Sequence, residues 1–279
     1  MHINFTNSFL LLITPIAPLV GLTTSPLLAA TLGSSEARVE IGNFSHDPSE
    51  VLILAETYAE TFASNGGVTA EAVNDLFVVD SPFYADNSSF SRTNGNGSEY
   101  SGIAQSTAAV VGYNFRVNSG ETFSFNFNAG LNLATSIDNP QFEAANATGN
   151  ISLKLYETSN KYNWIYLDSF ILSGNLATMG NNDFLNYENS NGFSLDLRKT
   201  ALDTSFGSQQ EIAQASTKGN YSRTFDDLTY LTLVEDKTNY AEVNAQESAS
   251  VPEPSTILDS LLWIMGMRYK MKRKGFSSR

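Results

Sequence analysis

The 279-residue chain has no cysteine and only two histidines. Disulfides and thiolate metal sites are thereby excluded. Beyond the first thirty residues His46 is the one histidine, which excludes multi-histidine metal centres and leaves a histidine-based triad only that residue. A lone histidine just ahead of a helix start is read as a flanking residue without a role. Basic residues are few and unevenly placed: Arg268, Lys270, Lys272, Arg273, Lys274 and Arg279, six of the sixteen Lys and Arg, crowd into the last twelve positions. Residues 31–250 keep ten basic against 27 acidic side chains, a formal charge of −17. A surface of that sign repels a phosphate backbone and has no basic stripe, so nucleic acid is not expected as a partner. The acidity fits a solvated surface that resists aggregation. Without covalent staples the fold must rest on a hydrophobic core, which about 220 residues can supply.

What is present is most distinctive at the two ends. Phe9–Val20 (FLLLITPIAPLV) is a twelve-residue apolar stretch, the right length for the h-region of a secretory signal peptide and short for a membrane span. Leu28-Ala29-Ala30 offers a cleavage site after Ala30, and no acid occurs before Glu36, so residues 1–30 are expected to be a signal peptide. At the other end, Val251-Pro252-Glu253-Pro254-Ser255 precedes a short apolar run, Ile257–Met267, and then the basic cluster. Pro252 and Pro254 fix φ and bias their neighbours to extended geometry, so the motif is presented straight. The Lys and Arg cluster prefers the cytoplasmic side and acts as a stop. Eleven residues span roughly 17 Å as a helix, against about 30 Å of hydrocarbon. Snorkelling Lys and Arg stems close much of the gap, and Asp259 lies near the outer interface. The segment suits transient holding in a membrane at least as well as a permanent span. The same residues also fit a Pro-rich linker before an amphipathic helix with a basic end; the export signal at the front favours sorting.

This tail, residues 251–279, resembles the PEP-CTERM sorting domain of Gram-negative bacteria, cyanobacteria included. The resemblance implies recognition by an exosortase-like membrane protease, removal of the tail, and release or attachment of the mature protein at the cell envelope, outer surface or extracellular matrix. It covers about thirty residues and transfers no activity to the rest.

Between the ends, residues 31–237 are expected to form one mainly β domain, an antiparallel sandwich or jelly-roll-like fold with one or two N-terminal helices, followed by a flexible stalk over 238–250. Asp47-Pro48-Ser49-Glu50 reads as a capping box with Pro at the first helical position. Val51, Leu54, Ala55, Tyr58 and Phe62 follow helical spacing to about Ala63, where Asn65-Gly66-Gly67 ends the helix. A second short helix is expected over Thr69–Phe77, and the Ser-, Asn- and Gly-rich residues 86–106 read as a surface loop. From Thr107 the period changes to two. Val111, Tyr113, Phe115 and Val117 form one strand. Phe123, Phe125, Phe127, Ala129, Leu131 and Leu133 alternate with polar residues on the next, with one buried and one wet face, and Gly130 marks a bulge or bend in it. Further strands are expected at Ile151–Tyr156, Tyr162–Leu172, Phe193–Leu197 and Leu228–Val234, with Asn191-Gly192 as a hairpin turn.

Chemistry-bearing clusters are sparse. Asp168, Glu188, Asp226, Asp227, Glu235 and Asp236 could supply a carboxylate pair of the glycosidase kind, or be solvated charges, the reading preferred for most acids. Asn94-x-Asn96-x-Ser98 lacks the glycine and glutamate of an EF-hand loop. No cofactor or metal is therefore expected. Sequons at Asn87, Asn96, Asn146, Asn150 and Asn220 arise by chance where Asn is abundant. Tyr162, Trp164 and Tyr166 alternate on one strand. Exposed, they would stack on sugar rings; buried, they are core. With Ile165 and Leu167 on the opposite face, core is favoured. The expectation is an exported, non-enzymatic envelope or exopolysaccharide-associated protein. A carbohydrate-binding module is the alternative, and a glycan-cleaving enzyme stands further behind.

Overall fold

The computed structural model describes residues 30–160, 163–178 and 180–246. The expected signal peptide, sorting motif and basic end lie outside the described residues, as do Tyr162 and the last residues of the expected stalk.

All eleven elements are antiparallel strands: β1 (Thr31–Gly42), β2 (Glu50–Asp80), β3 (Phe83–Val117), β4 (Thr122–Ser136), β5 (Glu143–Glu157), β6 (Ile165–Thr178), β7 (Phe184–Asn189), β8 (Phe193–Leu195), β9 (Ala201–Ser205), β10 (Gln210–Thr224) and β11 (Thr229–Gln246). They join in one sheet of order β7-β6-β5-β11-β3-β1-β4-β10-β8, with β2 on the outer edge of β3 and β9 beside β10. The sheet folds back on itself into two facing layers and closes almost completely, like a flattened barrel. The fold is made by a bend in the long β2–β3 hairpin. One half of β3 pairs with β1 (Thr31↔Gly95 to Ile41↔Ala85), the other with β11 (Gln246↔Glu99 to Thr229↔Val117). The bend falls at Gly66 and Gly97, which have φ of 136° and 110°, and the register shifts twice around Asn65. A Cβ on Gly97 would lie 2.5 Å from the Asn65 carbonyl oxygen, so a side chain cannot be placed there.

Alternation places the core. Phe123, Phe125, Phe127, Leu131 and Leu133 of β4 are buried, as expected, and meet Phe115, Phe170, Phe193 and Tyr221 between the layers. Burying a side chain of this size is worth about 1.5–3 kcal/mol. Gly130 is not a bulge: β4 runs in unbroken register with both β1 and β10.

Several expectations are corrected. Residues 50–80 are one strand, not two helices, because Val51, Ile53, Ala55 and Thr57 also fit period two and the whole segment pairs along one side with β3. Asp47 caps no helix; its carboxylate accepts hydrogen bonds from the Ser81 hydroxyl and the Phe83 N–H, holding the Ser81-Pro82 turn. Residues 86–106 are strand rather than loop. Their inward Asn87, Ser89 and Ser91 are buried because the facing layer is polar too: Asn87 Nδ2 donates to Glu235 Oε2 (2.8 Å), and Asn239 Nδ2 donates to the Ser89 carbonyl (3.1 Å). Residues 238–246 are not stalk but the second half of β11, paired on both sides, with Ala241 and Val243 buried. Asn191-Gly192 turns the chain, but β7 pairs with β6 and β8 with β10, so the turn crosses between layers instead of closing a hairpin.

Candidate functional site

Two bulges shape the outer face of the β11–β5–β6 layer. On β3 the register with β11 slips between Leu231 and Leu233, and Asn114 takes up the extra residue with φ of 55°. On β6 the register with β5 slips at Leu155 and Tyr156, leaving Leu167 extra. Beyond Leu167, Asp168, Phe170 and Leu172 point inward. Without the slip Tyr166 would join them; with it, Tyr166 sits opposite Tyr156 on the outer face.

The result is an exposed aromatic cluster. Trp164 and Tyr166 are 45% and 54% exposed, which overturns the expectation that this strand segment is core, and Ile165 is exposed as well. The Trp164 ring lies 6.2 Å from Tyr113 and 5.7 Å from Tyr156, and Tyr156 lies 6.0 Å from Tyr166. Tyr113 and Tyr156 belong to β3 and β5, on either side of β11, so Trp164 reaches across that strand at Thr232, which is fully buried. The ring planes are tilted by 52–70°, so the patch is ridged and not flat. Tyr166 donates its hydroxyl to Ser169 Oγ (2.6 Å). Glu50, opposite Tyr113, adds a carboxylate at its border. Apolar ring faces beside acceptor oxygens suit a polyhydroxylated ligand.

The six candidate carboxylates go elsewhere. Asp168 is buried behind the bulge: Oδ1 accepts from Ser190 Oγ (2.8 Å) and Gly192 N (3.3 Å), and Oδ2 from the Tyr221 hydroxyl (2.9 Å) and Arg223 Nη1 (3.0 Å). Burial pushes its carboxyl up, but these donors outweigh it and hold the pKa below the usual carboxylate range. Burial pushes the Tyr221 hydroxyl up. A Cβ on Gly192 would come 2.4 Å from the Tyr221 ring, so only glycine lets the turn reach Asp168. Glu235 is fully buried against Lys237 (2.8 Å); desolvation raises the one and lowers the other. Asp236 faces out to Lys154 (3.2 Å) and Ser152. Glu188, Asp226 and Asp227 are exposed.

Sequence reasoning missed two groupings. Asp183 is raised by burial and then by its contact with Glu211, whose oxygens already accept from Thr135, Thr178 and Gly207 N. His46 Nε2 meets Glu121 (3.0 Å), and this contact with the Asn118 donors lowers Glu121 to about 2. Both join residues far apart in the chain, and nothing in their spacing signals it. Among the described residues no group of three or more His, Cys, Asp or Glu is placed to hold a metal ion, and no helix is long and apolar enough to cross a membrane. No family model, curated protein or solved structure matches the chain.

Proposed function

We propose that this is an exported β domain of the bacterial cell envelope or extracellular matrix, without catalysis of its own, sorted through residues 251–255 by an exosortase-like protease. The two facing layers are taken as a sandwich, jelly-roll-like in kind. The observation that carries the reading is where the first and last described strands begin and end. β1 starts at Thr31, one residue past the expected cleavage after Ala30, and β11 ends at Gln246, five residues before Val251. Thr31 pairs with Gly95 and Gln246 with Glu99, so both ends emerge beside the bend. A tail held at the membrane through Val251–Ser255 and stopped by Arg268 to Lys274 then leaves the opposite end of the domain pointing away. Mass spectrometry of the surface fraction from the native host is expected to find the basic tail missing; an intact Arg279 there refutes the sorting.

A second reading is favoured by the exposed aromatic cluster: binding of extracellular polysaccharide at Trp164 and Tyr166, adjoining Tyr162 in sequence, with Tyr113 and Tyr156. The cluster lies at the end away from the bend, about fourteen residues along β3 from Glu99, or roughly 45 Å. A sugar ring would stack on one ring face, with neighbouring hydroxyls and a carboxylate taking its polar edge. Trp164→Ala is expected to weaken binding of the host's own exopolysaccharide at least tenfold; undiminished binding removes the cluster as the site.

A further inference from the structure

The longest open edge of the flattened barrel among the described residues is the seam along β2. β2 pairs only with β3, so its outer edge carries no strand among the described residues. The bend lays the two halves of β2 across from each other: Asn74 Nδ2, in the second half, donates to the carbonyl of Glu56 in the first and to that of Thr107 (3.0 Å each). An edge of this length is ordinarily blunted by Lys, Pro or a covering segment. Glu50–Asp80 contains no Lys, Arg or Pro, and leaves Leu52, Leu54, Tyr58, Phe62, Val73 and Phe77 exposed.

We infer that a second copy of this chain covers the seam, β2 against β2, about a twofold axis through Thr57 and Asn74. The charge pattern allows that axis and excludes its immediate neighbours. Antiparallel pairing centred on Thr57 sets Glu56 opposite Tyr58, Glu60 opposite Leu54 and Glu50 opposite Ser64 of the second copy. Pairing centred on Asn74 sets Asp75 opposite Val73, Glu71 opposite Phe77 and Asp80 opposite Val68. All six carboxylates of the strand face neutral residues, whereas shifting the first centre by one residue, to Glu56 or Tyr58, sets glutamate against glutamate. Thr57 and Asn74 lie in the two halves of β2, on either side of the bend, and the Asn74–Glu56 hydrogen bond brings them across from each other, so one axis serves both layers and each sheet continues into its neighbour. Asn74 Oδ1, buried and without a hydrogen-bond partner, lies at that axis. An isologous contact also fits two strongly acidic chains better when apolar side chains and backbone carry it.

Sedimentation of the intact chain tests this. The wild type is expected to dimerise, more tightly as salt screens the acidic bodies. Leu54→Glu places a carboxylate opposite Glu60, and Phe77→Glu places one opposite Glu71, each twice by symmetry. Each is expected to weaken the dimer at least tenfold, about 1.4 kcal/mol. Leu54→Lys, opposite Glu60, is expected to keep or tighten it. Both positions are exposed, at 53% and 60%, so circular dichroism should show intact β structure, and either acidic variant suffices if the other does not fold. A monomeric wild type, or loosening by Leu54→Lys as strong as by Leu54→Glu, overturns the inference. So does a monomer whose β2 amides are protected from hydrogen exchange and released by salt, which assigns the edge to the basic residues 268–279.

Discussion

The two seams of the barrel bring the layers together by opposite means. At β7–β8 the chain itself crosses, and Asp168 draws β6, the Ser190–Phe193 turn and β10 onto one buried carboxylate. Tyr221 then packs with Phe123, Phe125 and Phe193, at 5.0–6.1 Å between ring centroids, so the polar clamp sits on an aromatic floor. At β2 the Asn74 side chain links the two halves of the strand by donating to the Glu56 carbonyl. At the first seam a buried carboxylate finds its donors inside the chain; the second leaves a long edge and a buried acceptor unmatched. The difference separates a contact that maintains the fold from a surface available to a partner.

The largest effect is expected at the closed seam. Asp168→Ala strands the Tyr221 hydroxyl, the Gly192 N–H and Arg223, while the Ser190 hydroxyl keeps the Ser169 carbonyl as acceptor (3.3 Å). Loss of a buried ion-pair partner costs about 3–5 kcal/mol, but Arg223 is 43% exposed and regains water, so about 2–3 kcal/mol is expected, read as a lower urea midpoint at unchanged slope. The same carboxylate sets an acid limb. Its folded pKa lies below the unfolded value of about 3.9, so its contribution is complete above that pH and is lost as pH falls through the folded value. The stability gap between wild type and Asp168→Ala should therefore be constant near neutrality and shrink below about pH 4. A gap that does not shrink however far the pH falls would mean the aspartate acts by packing alone, and the two seams would differ less than their chemistry suggests.

The contrast between seams also marks what the sequence could and could not reveal. Alternation over Phe123–Leu133 sufficed for a one-sided antiparallel sheet, because large apolar residues at period two have no helical solution. The open seam was hidden by coincidence of spacing: Val51, Leu54, Ala55, Tyr58 and Phe62 satisfy a helix, and only pairing with β3 decides otherwise. Asn87, Ser89 and Ser91 resembled loop because their burial depends on Glu235 and Asn239, some 150 residues away, turning polar side chains toward them. The aromatic patch was half legible. Trp164 and Tyr166 are visible as a pair, but their exposure depends on one slipped residue, Leu167, and their companions Tyr113 and Tyr156 come from other strands. The Asp168 clamp draws on three separate segments, and its lone acidic residue looked like any other.

The smallest effect is expected at the open seam, and it sharpens the comparison most. Leu54 points outward from an edge strand and is half exposed, so replacing it removes little buried apolar area and strands no polar group. At concentrations too low for association, Leu54→Lys should change unfolding free energy by less than about 0.5 kcal/mol. Its ammonium also faces water along an edge otherwise rich in carboxylates, which offsets part of the lost apolar contact. Measured by urea unfolding at two protein concentrations, the variant should match the wild type when dilute, and any difference should grow with concentration. A loss of 2 kcal/mol or more in the dilute sample would place β2 among the contacts that maintain the fold, and the seam would then be a working part of the monomer, not a surface for a second copy.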